Sequence, residues 1–331
     1  MFRYILRRIL YMIPVLLGVT LIIFTILEFT PGDPARQILG EDVDEATIEE
    51  YREELGLNKP FLVRFGNYVL GVLKGDFGTS YVTKQPVADE LFSRYPTTII
   101  LSLCSTIIAV LIAIPLGVIS AVHQNSFLDG ISRVVAMIGV SMPNFWQGLL
   151  NIVIFCVYLG WLPSSGFSTP AHWILPAVTI GTSGAAAIMR TTRSTMLETI
   201  RQDYIRTARA KGASEKTVIW KHALTNTLIP VSTVIGIRFG SSLAGSVVTE
   251  QVFGIPGLGK LMIDSINNRN YPVVFGGVLL IAFAYGIVNL IVDIFYAFID
   301  PRVKSQYVVA KRTKKKAEEP EKNAQEGGKQ A

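Results

Sequence analysis

Six stretches of this chain are too long and too uniformly apolar for an ordinary soluble fold. They cover about 9–29, 97–122, 134–159, 173–189, 227–248 and 274–299. A hydrocarbon core of about 30 Å needs roughly 20 helical residues to cross it. Inside that core every backbone N–H and C=O must be paired within the segment, which a helix achieves. The expected fold class is therefore all-α integral membrane, with six transmembrane helices. The fourth stretch, WILPAVTIGTSGAAAIM, is the weakest, being short and holding Pro176 and two glycines. Small residues of this kind let helices approach closely, so it suits a span packed against protein rather than lipid.

The first run follows Arg7 and Arg8 directly. It exceeds the length of a signal-peptide core and no small-residue cleavage site follows it, which predicts a retained span. Basic residues in short loops resist transfer across the membrane. This places the amino terminus inside, and six spans then also put the 190–226 loop and the carboxyl tail inside. That loop carries eight basic and three acidic residues, whereas the 30–97 segment, expected outside, carries seven basic and twelve acidic. The net charge of +6 thus gathers in patches that abut apolar runs and are not interleaved with aromatic residues, an arrangement that argues against nucleic-acid binding.

Within the outer segment, ATIEEYREELG predicts a polar helix ending at Gly56. Pro60 suits the opening of a second helix over VRFGNYVLGVL, which shows an apolar face at helical spacing. The tail beyond Gln306 has almost no apolar content and is expected to be disordered.

No catalytic residues and no metal site are expected. Cys104 and Cys156 both fall inside apolar runs, and His123, His172 and His222 lack ligand-like spacing. GIPGLGK at 254–260 fits seven positions of a phosphate loop. The eighth is Leu261, where a magnesium-binding hydroxyl is required, and the motif follows a membrane run rather than a buried strand, so nucleotide binding is not expected there. Polar residues inside the runs are the remaining candidates. Asn144, Gln147 and Asn151 stand at i, i+3 and i+7 and share a helical face. They serve either as helix–helix contacts or as the wall of a hydrated path. Arg238, inside the fifth run, must face protein or water. A structural pairing with Asp293 and contact with a cargo carboxylate are both open.

The 190–226 loop is helical in propensity and is broken near Gly212-Ala213-Ser214. It resembles the cytoplasmic signature of binding-protein-dependent ABC importer permeases: Glu-Ala-Ala, three residues, Gly, nine residues, then Ile-x-Leu-Pro. The chain has Arg206-Thr207-Ala208, Gly212 and Leu224 in register. It departs from the pattern at Arg206, at His222 and at Thr225, with Ile229-Pro230 lying further on. This variant resembles the dipeptide, oligopeptide, glutathione and nickel branch. So do TPGDP at 30–34, GDFGTS at 75–80, SMPNFW at 141–146, TEQVFGIPGLGKLMIDSINNRNYPVV at 249–274 and DPR at 300–302.

The resemblance implies a type I ABC importer permease fold in a prokaryotic inner or plasma membrane, with both termini cytoplasmic. It divides the chain into residues 1–30 (terminus and first span), 31–93 (extracytoplasmic segment), 94–300 (a five-helix permease domain) and 301–331 (the tail). The implied partners are a second homologous permease, two ABC ATPases that bind ATP and magnesium, an extracytoplasmic substrate-binding protein and the lipid bilayer. The chain itself would hold no cofactor. Arg206, Thr207, Ala208, Arg209, Lys211, Gly212, Ala213 and Ser214 would form the helix and turn that couple to an ATPase. Asn144, Gln147, Asn151 and Arg238 would be candidates for the path. The implied cargo is a short peptide, with nickel or glutathione as the alternative. An intramembrane enzyme lacks its nucleophile and base here. An ion-coupled secondary transporter, the more distant alternative, would be expected to show repeats and buried carboxylates.

Overall fold

The computed structural model describes residues 2–299 apart from Pro31 and Glu41. The tail expected over 301–331 and the Asp-Pro-Arg motif at 300–302 lie outside the described residues. Among the described residues all regular structure is helical, except for one isolated bridge between Thr79 and Pro86.

The first span, α1 (Phe2–Glu28), is followed by three helices of the polar segment: α2 (Pro34–Leu39), α3 (Glu45–Glu54) and α4 (Phe61–Leu73). Asp33 and Asp44 cap α2 and α3 by accepting the N–H of Ala35 and of Thr47. Arg52 of α3 reaches back to Asp33 at 2.6 Å, and its bonds to Asp33 and Glu49 hold the guanidinium above its ordinary pKa. Gly56, just past α3, takes a left-handed φ of +67°, and α4 opens at Phe61 directly after Pro60. Both ends of the expected helix pair are therefore observed.

Next come α5 (Val87–Val122), α6 (Phe127–Ser141) and α7 (Asn144–Asn151), the last running on in wider π-helical turns over Ile152–Tyr158. The run expected as one span over 134–159 is instead two helices bent by 103°. The cause lies in the SMPN sequence. Pro143 disfavours the helical conformation at its predecessor, and Met142 is extended at φ −87°, ψ 125°. The division expected at 93/94 likewise falls inside a continuous helix, α5.

The weakest expected span is the best buried. α8 (Pro170–Ile200) has 56% of its most apolar window buried, against 11% for α1. A Cβ on Gly117 of α5 would lie 2.6 Å from Thr192, and one on Gly181 of α8 would lie 2.8 Å from the Ser105 carbonyl, so the two helices cross at backbone contact. His172 caps the start of α8, its Nδ1 accepting the Thr169 N–H at 3.3 Å.

α8 continues past the expected end of its span because Met196, Leu197 and Ile200 still pack on an apolar cluster. The loop expected over 190–226 therefore shortens to 201–214. It holds α9 (Asp203–Ala210). A further long helix, Glu215–Ala244, then returns through α10 (Glu215–Thr217), a π-helical stretch over Val218–Ala223 and α11 (Leu224–Gly245). α12 (Val247–Val252), α13 (Leu258–Asn267) and α14 (Tyr271–Ile299) complete the described chain.

Contacts between helices set the two ends of the bundle. At one end Phe24 of α1 stacks on Phe275 of α14 with ring centroids 3.8 Å apart, and Thr98 of α5 meets Glu250 of α12. At the other, basic, end Arg8 of α1 pairs with Asp293 of α14 at 2.8 Å, and α9 packs against the end of α5. The first residues of α1, the last of α14 and the 201–214 elbow therefore lie on one side.

Candidate functional site: the basic elbow and the cleft inside the bundle

The elbow is rooted by one apolar side chain. Ile205 of α9 is fully buried among Val118, Ala121, Met196, Val218 and Ile219, with Ala208 and Ala213 packed against the same cluster. A helix of eight residues is too short to be stable alone, so its position depends on this anchor. The turn after α9 depends on Gly212, whose φ of +81° costs an L side chain about 1–2 kcal/mol. Ser214 then caps the next helix by accepting the Thr217 N–H.

The charged residues of the elbow divide into two groups. Arg209 is bound to Glu215 at 2.7 Å, and that bond raises its pKa. Arg206 is 75% exposed, with Asp203 no closer than 3.7 Å. Thr207 and Lys211 are also exposed. Arg206, Arg209 and Lys211 stand together in the sequence; only the fold places Glu215 across the turn from Arg209.

Behind the elbow lies an ion cluster that the sequence did not reveal. Asp129, on the first turn of α6, has no exposed surface. It accepts a two-pronged bond from Arg193 of α8 (3.0 and 2.9 Å), the Asn125 N–H at 3.0 Å and the hydroxyl of Ser120 on α5. One carboxylate thus ties the basic ends of α5, α6 and α8 together. Asp129 lies before the third apolar run as read from sequence, in a position that looks like an ordinary loop acid.

The four polar candidates inside the runs separate. Gln147 donates to Thr182 Oγ1 at 2.6 Å and Asn151 to Thr179 Oγ1 at 2.9 Å, both on α8. Asn144 instead faces a cleft of about 150 Å³ inside the bundle, with Arg238, Ser105, Thr106, Ser183, Ser241 and Ser242. Arg238 does not meet Asp293, contrary to the pairing weighed from sequence. Gly236 and Gly240 form the face of α11 that packs on Val292 and Tyr285 of α14. Arg238 is two residues from each, about 200° around the helix, and so points away from α14. Asp293 pairs with Arg8 instead.

GIPGLGK packs around a buried carboxylate. Gly257 and Gly259 make room for Glu250, which is fully buried, and a Cβ on Gly257 would overlap that carboxyl group. Glu250 accepts the Thr98 hydroxyl at 2.7 Å, the Ser246 hydroxyl at 3.0 Å and the Lys260 N–H at 3.1 Å. The same 249–274 stretch also meets the end of the 75–80 motif: Asn270 accepts the Tyr81 N–H at 2.9 Å and donates to Ser80 at 2.8 Å.

Long apolar helices enclosing a polar cleft, with a small exposed helix at one end, define a multi-pass membrane permease. Residues 113–305 match the family described as binding-protein-dependent transport system inner membrane component, and residues 1–102 match its N-terminal counterpart. The chain belongs to this family, the permeases of ABC importers, as the resemblance in its motifs implied. It is 41% identical over 332 residues to the dipeptide transport system permease protein DppB of Alkalihalophilus pseudofirmus, covering 92% of this chain and 100% of that one. It is 44% identical over 304 residues to the glutathione transport system permease protein GsiC of Salmonella choleraesuis, covering 92% and 99%. In fold it is similar to a chain of the MetNI methionine ABC transporter in inward-facing conformations. That match has a TM-score of 0.50 and 21% identity and covers 62% of this chain and 95% of the other.

Proposed function

We propose that this chain, paired with a second homologous permease, forms the translocation path of an ATP-driven importer of short peptides. The cargo class follows from relatives named for dipeptide and glutathione transport. Two ATPase subunits bind and hydrolyse ATP with magnesium and grip the 203–214 elbow. A substrate-binding protein delivers cargo to the face carrying α2–α4 and α12–α13. Both termini are cytoplasmic, on the same side as the elbow. The cleft at Asn144 and Arg238 is part of the path, while Gln147 and Asn151 hold α7 to α8 at its edge.

The observation that carries this reading is the anchoring of α9 through Ile205. A push on the exposed side of α9 is transmitted to Val118 and Ala121 of α5 and Met196 of α8. Packed interiors transmit such displacements rather than absorbing them. Thr207→Cys tests it in the assembled complex. The expected result is crosslinking to an ATPase subunit and no reaction with a membrane-impermeant thiol reagent added to intact cells. Labelling from outside would overturn the orientation and the coupling role together.

A further inference from the structure

Among the described residues, three carboxylates of the bundle helices are each engaged. Asp129 holds Arg193, Asp293 holds Arg8, and Glu250 is satisfied by two hydroxyls and a backbone N–H. Arg238 is different: no carboxylate among the described residues forms an ion pair with it, although it stands within an apolar helix at a cleft wall. An arginine within a membrane-spanning helix has to face water, polar protein groups or an anion. Its guanidinium fork matches a carboxylate in two-pronged fashion.

The rest of the wall reinforces this polarity. Ser105, Thr106, Ser241 and Ser242 donate their hydroxyl protons to the carbonyls of Leu101, Ser102, Ile237 and Phe239 in their own helices. Their oxygens are thereby left as acceptors, so the donors facing the cleft are the Arg238 fork, the Asn144 amide and the Ser183 hydroxyl.

We infer that Arg238, with Asn144 beside it, receives a carboxylate of the cargo during passage, which makes this cleft selective for anionic ends such as a peptide C-terminus. The hydroxyl oxygens of the wall suit the cationic amino end of the same molecule. The inference rests on the reading of the cleft as part of the path, and the test separates the two.

Ser241→Cys in the reconstituted complex is reacted with methanethiosulfonate reagents of similar size, one anionic and one cationic. Each rate is divided by that for free cysteine in solution. The expected result is a preference for the anionic reagent by roughly tenfold, the effect of one nearby poorly screened charge. The preference should be lost on adding Arg238→Gln. Alanyl-alanine should slow the labelling, and its C-terminal amide should do so much less. If neither reagent reacts in any nucleotide state, the cleft is not a water path and the proposed function loses that element. If both react with no anionic preference, or if the dipeptide and its amide protect equally or not at all, the path stands and the carboxylate site is overturned. Asn144→Cys in the otherwise unchanged chain gives the same ratio should Arg238→Gln fail to assemble, and a ratio of one there refutes the site equally.

Discussion

Replacing Asp129 by Ala removes the one group that ties α5, α6 and α8 together at the basic end. The carboxylate has no exposed surface, whereas the Arg193 side chain is 23% exposed. Breaking a buried pair by deleting one member costs about 3–5 kcal/mol, because the survivor stays desolvated without its partner. Partial exposure lets Arg193 recover some hydration, so a loss near ~3 kcal/mol is expected for Asp129→Ala. Arg193→Met leaves Asp129 buried with the Ser120 hydroxyl, the Asn125 N–H and the more exposed Arg133 at 3.3 Å as its partners, and should cost a similar amount. Once one partner is gone the other has little left to lose, so the double substitution should fall short of the sum by about 2 kcal/mol. Unfolding of the reconstituted complex by titrated anionic detergent, followed by tryptophan fluorescence, measures all three. Additivity within about 0.5 kcal/mol would show that the two residues act independently and would refute the clamp. The same variants should weaken substrate-stimulated ATP hydrolysis, since Ser120 sits beside the α5 residues on which the elbow rests.

Three further outcomes follow from close contacts. Gly212→Val should lower substrate-stimulated ATP hydrolysis through about 1–2 kcal/mol of backbone strain, because an added Cβ meets nothing within 4 Å; Gly212→Asn should be milder, and normal coupling in the valine variant would remove the elbow from the mechanism. Gly257→Ala should destabilise the complex by about 1–3 kcal/mol by overfilling the space beside Glu250. Adding Glu250→Ala should make that change less costly than in the parent chain, and the thermal midpoints of the four forms decide this. Gly117→Val should separate α5 from α8 at the Thr192 contact and reduce recovery of folded complex on size exclusion, whereas Gly66→Ala on α4, which has open space, should not.

Much of the fold was legible because lipid imposes one simple rule. A segment crossing hydrocarbon has to be long, apolar and helical, and the runs met that rule at the positions where α1, α5, α8, α11 and α14 stand. The same chemistry made Gly56 and Pro60 readable as punctuation. The path candidates were only partly legible, since spacing placed Asn144, Gln147 and Asn151 on one face without saying what that face meets. The break at Pro143 was present in the sequence, in a proline preceded by Met142, but the apolar count across 134–159 concealed it.

The sequence alone determined how many long apolar segments exist, where charge gathers and which family the motifs match, because these depend on composition and local order. Tertiary structure decided which charges neutralise each other. Asp293 pairs with Arg8 across 285 positions in the chain, Asp129 with Arg193 across 64, and Glu250 forms its bonds with the hydroxyls of Thr98 and Ser246 and the Lys260 N–H. Such pairings depend on helix rotation and on the close approach that glycines permit, and neither is encoded in any local pattern. Arg238 stands out only once the carboxylates Asp129, Asp293 and Glu250 have been assigned their partners.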